Sequence, residues 1–188
     1  YKLEGKIIYF SNFGVPQKRT RFILIAIRND IARKKNVEPK KVFQLLTQNK
    51  EAFLRSKDLP QNPNLANANS DLLKVNGLEK TPDRKNFFSG LYSKTRSKYQ
   101  KVLRAESNSR TVPDSHSFPK HRPEVEKRFK MYLKQKRCNK NLTVKFKKKH
   151  SISKHTVIPM SGHLPTPTIT SLPDDLIHYS EPRILTVR

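Results

Sequence analysis

Apolar residues in this chain fall into short runs of two different periods, separated by stretches rich in Pro, Asn and Lys. Lys6-Ile7-Ile8-Tyr9-Phe10 and Phe22 to Ile27 are near-continuous apolar runs of strand length. Joined by a turn at Gly14-Val15-Pro16, they read as two short, largely buried strands. Arg28-Asn29-Asp30 supplies turn chemistry at the end of the second. From Pro39 to Ser56 the period becomes helical. Val42, Leu45, Leu46, Ala52 and Phe53 form one stripe, and Pro39 suits a first helical turn.

Pro60 to Asn69 is polar, rich in Pro and Asn, and reads as a linker with little reason to be ordered. Asn69-Ser70-Asp71-Leu72-Leu73 looks like a short helix start that soon meets Gly77. From Asn86 to Ala105, Phe88, Leu91, Tyr92, Tyr99, Val102 and Leu103 alternate with Lys94, Arg96, Lys98, Lys101 and Arg104, which predicts a helix. Its basic side serves equally as a solvated face or as a phosphate-facing one. Ser107 to Pro123 reads as loop. Pro123-Glu124-Val125-Glu126, with Pro and two acids in the first turn, opens a further helix. That helix runs through Phe129 and Leu133 to Lys134, Lys136 and Arg137. Leu142-Thr143-Val144-Lys145-Phe146 alternates as a strand does, and His155 to Pro159 reads as another. Leu172 to Ile177 reads as a loop, and Asp174-Asp175 as a helix or turn start rather than a catalytic dyad. No internal repeat is present.

Composition narrows what such a chain does. Of 188 residues, 34% are hydrophobic and none is Trp, and the mean hydropathy is −0.79. One domain with a real core is the expectation, with part of the chain open or leaning on a partner. Lys plus Arg number 40 against 15 Asp plus Glu, a formal charge of +25. A surplus that large repels itself unless a polyanion neutralises it, so nucleic acid is the default partner and a membrane surface the weaker one. Between Lys120 and His150 stand thirteen lysines and arginines, including Arg137, Lys147, Lys148 and Lys149, against Glu124 and Glu126. No apolar run approaches the roughly 20 residues of a membrane span, and no secretory pattern opens the chain. The single cysteine, Cys138, forms no intrachain disulfide and fits a reducing cytosol.

The sharpest signal is Asn12-Phe13-Gly14-Val15-Pro16-Gln17-Lys18-Arg19-Thr20-Arg21, running into the second apolar run. Gln17, Arg19 and Arg21 lie at two-residue spacing, which in an extended chain puts them on one face. One amide and two guanidiniums suit a nucleobase edge with its phosphates; a turn with solvated charges is the plainer alternative. This stretch resembles motif eight of the DNA (cytosine-5) methyltransferases, an aromatic-Gly-x-Pro-Gln-x-Arg-x-Arg turn before an apolar strand. Near the other end, Pro167-Thr168-Ile169-Thr170 and Glu181-Pro182-Arg183-Ile184-Leu185-Thr186-Val187-Arg188 resemble the close of that family's target-recognition region and the opening of its ninth motif. The two matches stand in family order around a variable basic region.

The resemblance implies a fold and a division of labour. The fold class is an α+β or α/β fragment: terminal strands of a Rossmann-like methyltransferase sheet flanking a basic, mixed α/β recognition region with long loops. Residues 1–30 are then the last catalytic strands, 31–165 the insertion and target-recognition region, and 166–188 the return to the catalytic domain. Arg21 would reach the O2 of a flipped cytosine and a neighbouring phosphate, Arg19 would brace the active-site acid, and Gln17 matches the motif's glutamine. Thr168 matches a threonine that holds the DNA backbone, with Ile169 where the family has leucine. Arg188 matches an arginine that orders the recognition region against the sheet. DNA contacts are expected at Thr168, Arg137 and Lys147 to Lys149.

Cytosine-5 methylation also needs a thiolate, an acid and a methyl donor. Cys138 stands in Arg137-Cys138-Asn139, without the family's preceding proline, and no Glu-Asn-Val occurs. The five glycines include no Gly-x-Gly, so S-adenosylmethionine has no evident site here. His116, His121, His150, His155, His163 and His178 have loose spacings, and neither a metal site nor a hydrolase triad is expected. The expectation is therefore a fragment of a prokaryotic-type, cytoplasmic enzyme of a restriction-modification context. It would bind double-stranded DNA, depend on the missing catalytic half of the same polypeptide, and be inactive alone. The alternative is a stand-alone basic nucleic-acid-binding protein without enzymatic activity.

Overall fold

The computed structural model describes residues 1–105, 112–169 and 173–187. It is a mixed α/β structure with three two-stranded sheets among those residues. Strands β1 (Lys2–Tyr9) and β2 (Thr20–Ile27) form an antiparallel hairpin in which Leu3 faces Ala26, Gly5 faces Leu24 and Ile7 faces Phe22. A 3₁₀ turn, Phe10–Phe13, leads to Gly14 at φ +78°. A Cβ on Gly14 would lie 2.6 Å from a Leu54 methyl. Glycine is thus required there both by the left-handed backbone and by the helix packed beneath.

The hairpin corrects the expectation of two largely buried strands. Alternate residues project to opposite faces. One face, Glu4, Ile8 and Ile25 among it, is half-covered, and its Lys6 ammonium sits 5.8 Å from the Phe43 ring. The other is bare: Leu3, Ile7, Tyr9, Phe22 and Leu24 are each more than half exposed. β2 ends at Ile27, and the expected turn at Arg28–Asp30 instead opens a helix, α1 (Asn29–Lys35). Arg28 grips Asp30 with two N–H donors at 2.7 Å, and that pairing lowers the Asp30 pKa.

Helix α2 (Pro39–Ser56) has the predicted bounds. Its buried residues are Pro39, Phe43 and Leu54. The stripe of Leu45, Leu46 and Phe53 is exposed instead. Phe43 lies about 100° round the helix from Val42, so seating one line against the hairpin turns the other outward. The expected disordered linker contains α3 (Leu65–Asn69), started by a reciprocal pair: Asn64 Oδ1 accepts from the Asn67 N–H at 2.8 Å, and Asn67 Oδ1 from the Asn64 N–H at 3.0 Å. Two local side-chain bonds are enough to nucleate one turn where composition alone argues against order. The helix start expected at Asn69 is therefore the end of α3.

The helix expected over Asn86–Ala105 is also corrected. Phe88–Gly90 is strand β4, paired with β3 (Leu78–Lys80), and only Lys98–Leu103 is helical, as α4. Ser97 caps α4, accepting from the Gln100 N–H at 3.0 Å. Gly90 leaves room that a Cβ would fill at 3.0 Å from the Phe118 ring, so the segment packs as strand. Part of the expected Ser107–Pro123 loop lies outside the described residues; from residue 112 onward it is irregular and bridges Ser89 through Ser117.

Helix α5 (Pro123–Leu133) follows the prediction, with Glu124 and Glu126 in its first turn. The strand expected at Leu142–Phe146 is helix α6 (Val144–Lys149), whose N-cap Thr143 accepts from the Phe146 N–H at 3.2 Å. The same residues satisfy either period. Leu142, just before the Thr143 cap, and Phe146 within the helix both enter the core around Tyr132, Val157 and Ile177, while Val144 stands 69% exposed. A strand would put Leu142, Val144 and Phe146 on one face; the core takes only Leu142 and Phe146, and the Thr143 cap starts a helix that turns Val144 outward. β5 (Ile158–Pro159) pairs in parallel with β6 (Leu176–Ile177), after a 3₁₀ turn at Pro173–Asp175 where a loop was expected. Arg188, Thr170 and Leu172 lie outside the described residues.

Candidate nucleic-acid interface

The motif at Gly14–Arg21 is held by a segment that lies far away in the chain. Thr166 donates its N–H to Pro16 O at 2.8 Å and accepts from the Lys18 N–H at 2.7 Å, a parallel bridge of Gln17 to Thr166. The Thr168 hydroxyl donates to Lys18 O at 2.7 Å. Thr166 is buried, and Gln17, Arg19 and Thr168 are half-buried. Between Gln17 and Arg19 the backbone folds back on itself: the Arg19 N–H donates to Gln17 O at 2.9 Å. Only Arg21 of the three motif residues lies on β2, opposite Ile8. It is exposed, and its Nη1 donates to Thr20 O at 2.7 Å.

The basic cluster forms a second group, on α5, α6 and the turn between them. Lys148 and Lys149 are exposed with side chains free to meet a polyanion. Lys147 is half-buried and its ammonium donates to His155 O. Arg137, also half-buried, donates Nε–H to Asn141 O at 3.1 Å. Beneath them runs an aromatic series, Phe129 to Tyr132 to Phe146 to His150, with ring centroids 4.5 to 6.5 Å apart. The lysines of α6 thus ride on a packed base, in the last turn of a helix where cations are favoured.

Several residues that organise this region carry no sequence motif. Asn139 and Asn141 clip the turn to the 155–165 segment. Lys154 bridges Asp174 and Asp175, the latter at 3.1 Å. Burial works against its ammonium, but the two carboxylates outweigh that and raise its pKa. The acid pair read as a turn start is indeed in a 3₁₀ turn, tied to that lysine.

Arg183, of the motif-nine resemblance, is 2% exposed. It donates Nε–H to Glu181 at 2.6 Å and lies 4.8 Å over the Phe118 ring. The other Glu181 oxygen accepts from the Lys74 N–H at 2.6 Å. His178 is 1% exposed, and its Nδ1 accepts from the N–H groups of Ser180 and Glu181 at 3.2 Å. Burial, reinforced by Arg183 and His116, pushes its pKa down to about 2. His116 sits between Thr186 Oγ1 at 2.8 Å and Leu72 O at 3.0 Å. Among the described residues no group of three His, Cys, Asp or Glu is arranged to hold a metal ion, and no helix is long and apolar enough to cross a membrane. Cys138 is exposed, at φ +40°.

In comparison with known proteins, the family model for the C-5 cytosine-specific DNA methylase matches residues 1–188. Neither the curated proteins nor the solved structures yield a match.

Proposed function

We propose that this chain, which belongs to the C-5 cytosine-specific DNA methylase family, supplies the target-recognition region and one wall of the cytosine pocket of a DNA (cytosine-5) methyltransferase. In this reading residues 31–165 meet duplex DNA, and residues 1–30 and 166–188 belong to the catalytic domain. Arg21 contacts the flipped cytosine, Arg19 braces the acid, and Gln17 completes the turn. Thr168 holds the DNA backbone beside them. The observation that carries the reading is the bond from Thr168 to Lys18, across 150 positions of sequence. It brings the two stretches that resemble the family side by side, as one pocket wall would need.

A second observation supports a partner that completes the fold. The open hairpin face carries Leu3, Ile7, Tyr9, Phe22 and Leu24, and a contiguous apolar patch of that kind marks a covered surface. In our reading the rest of the catalytic domain covers it. That part also carries the thiolate, the Glu-Asn-Val acid and the methyl-donor site. S-adenosylmethionine presents an ammonium, a sulfonium and ribose hydroxyls, which call for carboxylates. The roughly 470 Å³ cavity beside the hairpin is lined by Phe13, Val42, Leu45, Leu46, Asn49, Lys50, Phe53 and Leu54. It offers an ammonium and no acid, so these residues do not fit the cofactor.

The test uses both the chain and the intact enzyme. The isolated chain should bind duplex DNA and transfer no labelled methyl group from S-adenosylmethionine. In the intact enzyme, Arg21→Ala should lower kcat by far more than it weakens duplex binding, because flipping and activation follow binding. Equal losses would reduce Arg21 to a phosphate contact. Unchanged kinetics would remove Arg21 from the cytosine pocket, methyl transfer by the chain alone would overturn the reading, and duplex binding by a full-length protein that transfers no methyl group would favour a stand-alone nucleic-acid-binding protein.

A further inference from the structure

The basic cluster and the motif turn are far apart in sequence, and one side chain joins the two. After α5 the chain reverses through three left-handed residues, Lys136, Cys138 and Asn139, at φ +49°, +40° and +67°. Asn139 is half-buried there and engages its backbone N–H and both ends of its side-chain amide. Its N–H donates to Pro159 O at 2.9 Å. Its Oδ1 accepts from the Ser161 N–H at 2.8 Å, and its Nδ2 donates to Pro165 O at 2.9 Å. Pro165 directly precedes Thr166, the residue bonded on both sides to the motif turn. One amide therefore ties the turn that follows α5 to the segment leading into the rail that holds Pro16 to Lys18. Asparagine suits the position twice over, since it tolerates the left-handed backbone and its amide both gives and accepts.

We propose that Asn139 is a positioning residue: it transmits engagement of the basic α5–α6 surface by duplex DNA to the Thr166–Lys18 rail, and so to the turn that carries Arg19 and Arg21. This rests on the DNA-binding reading above. Asn141 provides an internal control. It makes the same two kinds of bond, accepting from the Val157 N–H at 2.9 Å and donating to His155 O at 2.9 Å, but neither partner adjoins Thr166 in the chain.

Hydrogen exchange on the full chain, read at the Lys18 and Thr166 amides, tests this. Asn139→Asp keeps the acceptor for Ser161 and loses the donor to Pro165, with the left-handed backbone preserved. Without DNA it should speed exchange at those two amides by about tenfold, the scale of one lost hydrogen bond, while the β1–β2 amides exchange as before. Adding a saturating duplex should slow both amides in the wild-type chain and in Asn141→Asp, which carries the same added charge, and leave them unslowed in Asn139→Asp. Asn139→Gly, which keeps the backbone and removes the amide, should behave as Asn139→Asp does. If Asn139→Asp and Asn141→Asp respond alike, or if duplex slows neither amide in a wild-type chain that binds it, the proposal is overturned and DNA binding stands. If the wild-type chain binds no duplex, both readings fall.

Discussion

Glu181→Gln should cost this fold more than any surface change. The Arg183 side chain is 3% exposed and its Glu181 partner 13%, joined at 2.6 Å. Burial lowers the Arg183 pKa, and Glu181 works against that shift. Glutamine keeps the shape and its single oxygen can still accept from the Lys74 N–H, but its NH2 then faces the Arg183 Nε–H, so the variant removes the charge and sets donor against donor. What remains is a guanidinium held away from water with an amide where its carboxylate stood. Breaking a buried pair from one side costs about 3–5 kcal/mol, a large part of the 5–15 kcal/mol that holds a domain together. At a urea m-value of about 2 kcal/mol/M, the midpoint should fall by about 1.5–2.5 M. Glu181→Gln combined with Arg183→Met should recover most of that loss, because the stranded charge is gone and methionine fills the space over Phe118. Urea unfolding of the four members of this cycle measures the coupling directly. Additive effects, or a single-variant loss within about 0.5 kcal/mol, would show that water reaches the guanidinium and refute the reasoning.

His178 should make stability fall as the solution is acidified. Its folded pKa is about 2 and its unfolded value about 6.5, so between the two the unfolded chain holds the extra proton. Stability is then level above pH 6.5 and drops by up to about 1.4 kcal/mol per pH unit below it. His121, lowered first by burial, adds in the same direction. Unfolding free energies between pH 4.5 and 6.5 test this, and a slope equally steep in His178→Gln would refute it. Salt dependence tests the basic surface: Lys148→Gln with Lys149→Gln should reduce the slope of log affinity against log salt by about 1.8, at about 0.9 per phosphate contact. Adding Lys147→Gln should change little more, because its ammonium is engaged with His155 O; an unchanged slope in the pair would make these lysines a solvated face.

The helices that the sequence announces are those whose signals are local. Pro39 and Pro123 each stand at the start of a helix the pattern predicts, and that start depends on nothing distant. The hairpin and its motif turn were equally legible, since Gly14 and two apolar runs specify a reversal within one short segment. Short ambiguous segments were not. Leu142 to Phe146 fits a strand and a helix equally well, and the core at Tyr132 and Ile177 decided for α6. Phe88 became strand because β3 lies beside it. The face of α2 that is buried depends on where the hairpin sits, which no helical period encodes. Charge and the two family-like stretches were visible in the residue order, and so was the partner class they imply. Their meeting at Thr168 and Lys18, and the Asn139 clasp beside it, depend on backbone groups brought together from far apart in the chain. Backbone carbonyls are identical at every position, so only the tertiary structure selects which of them an amide side chain will find.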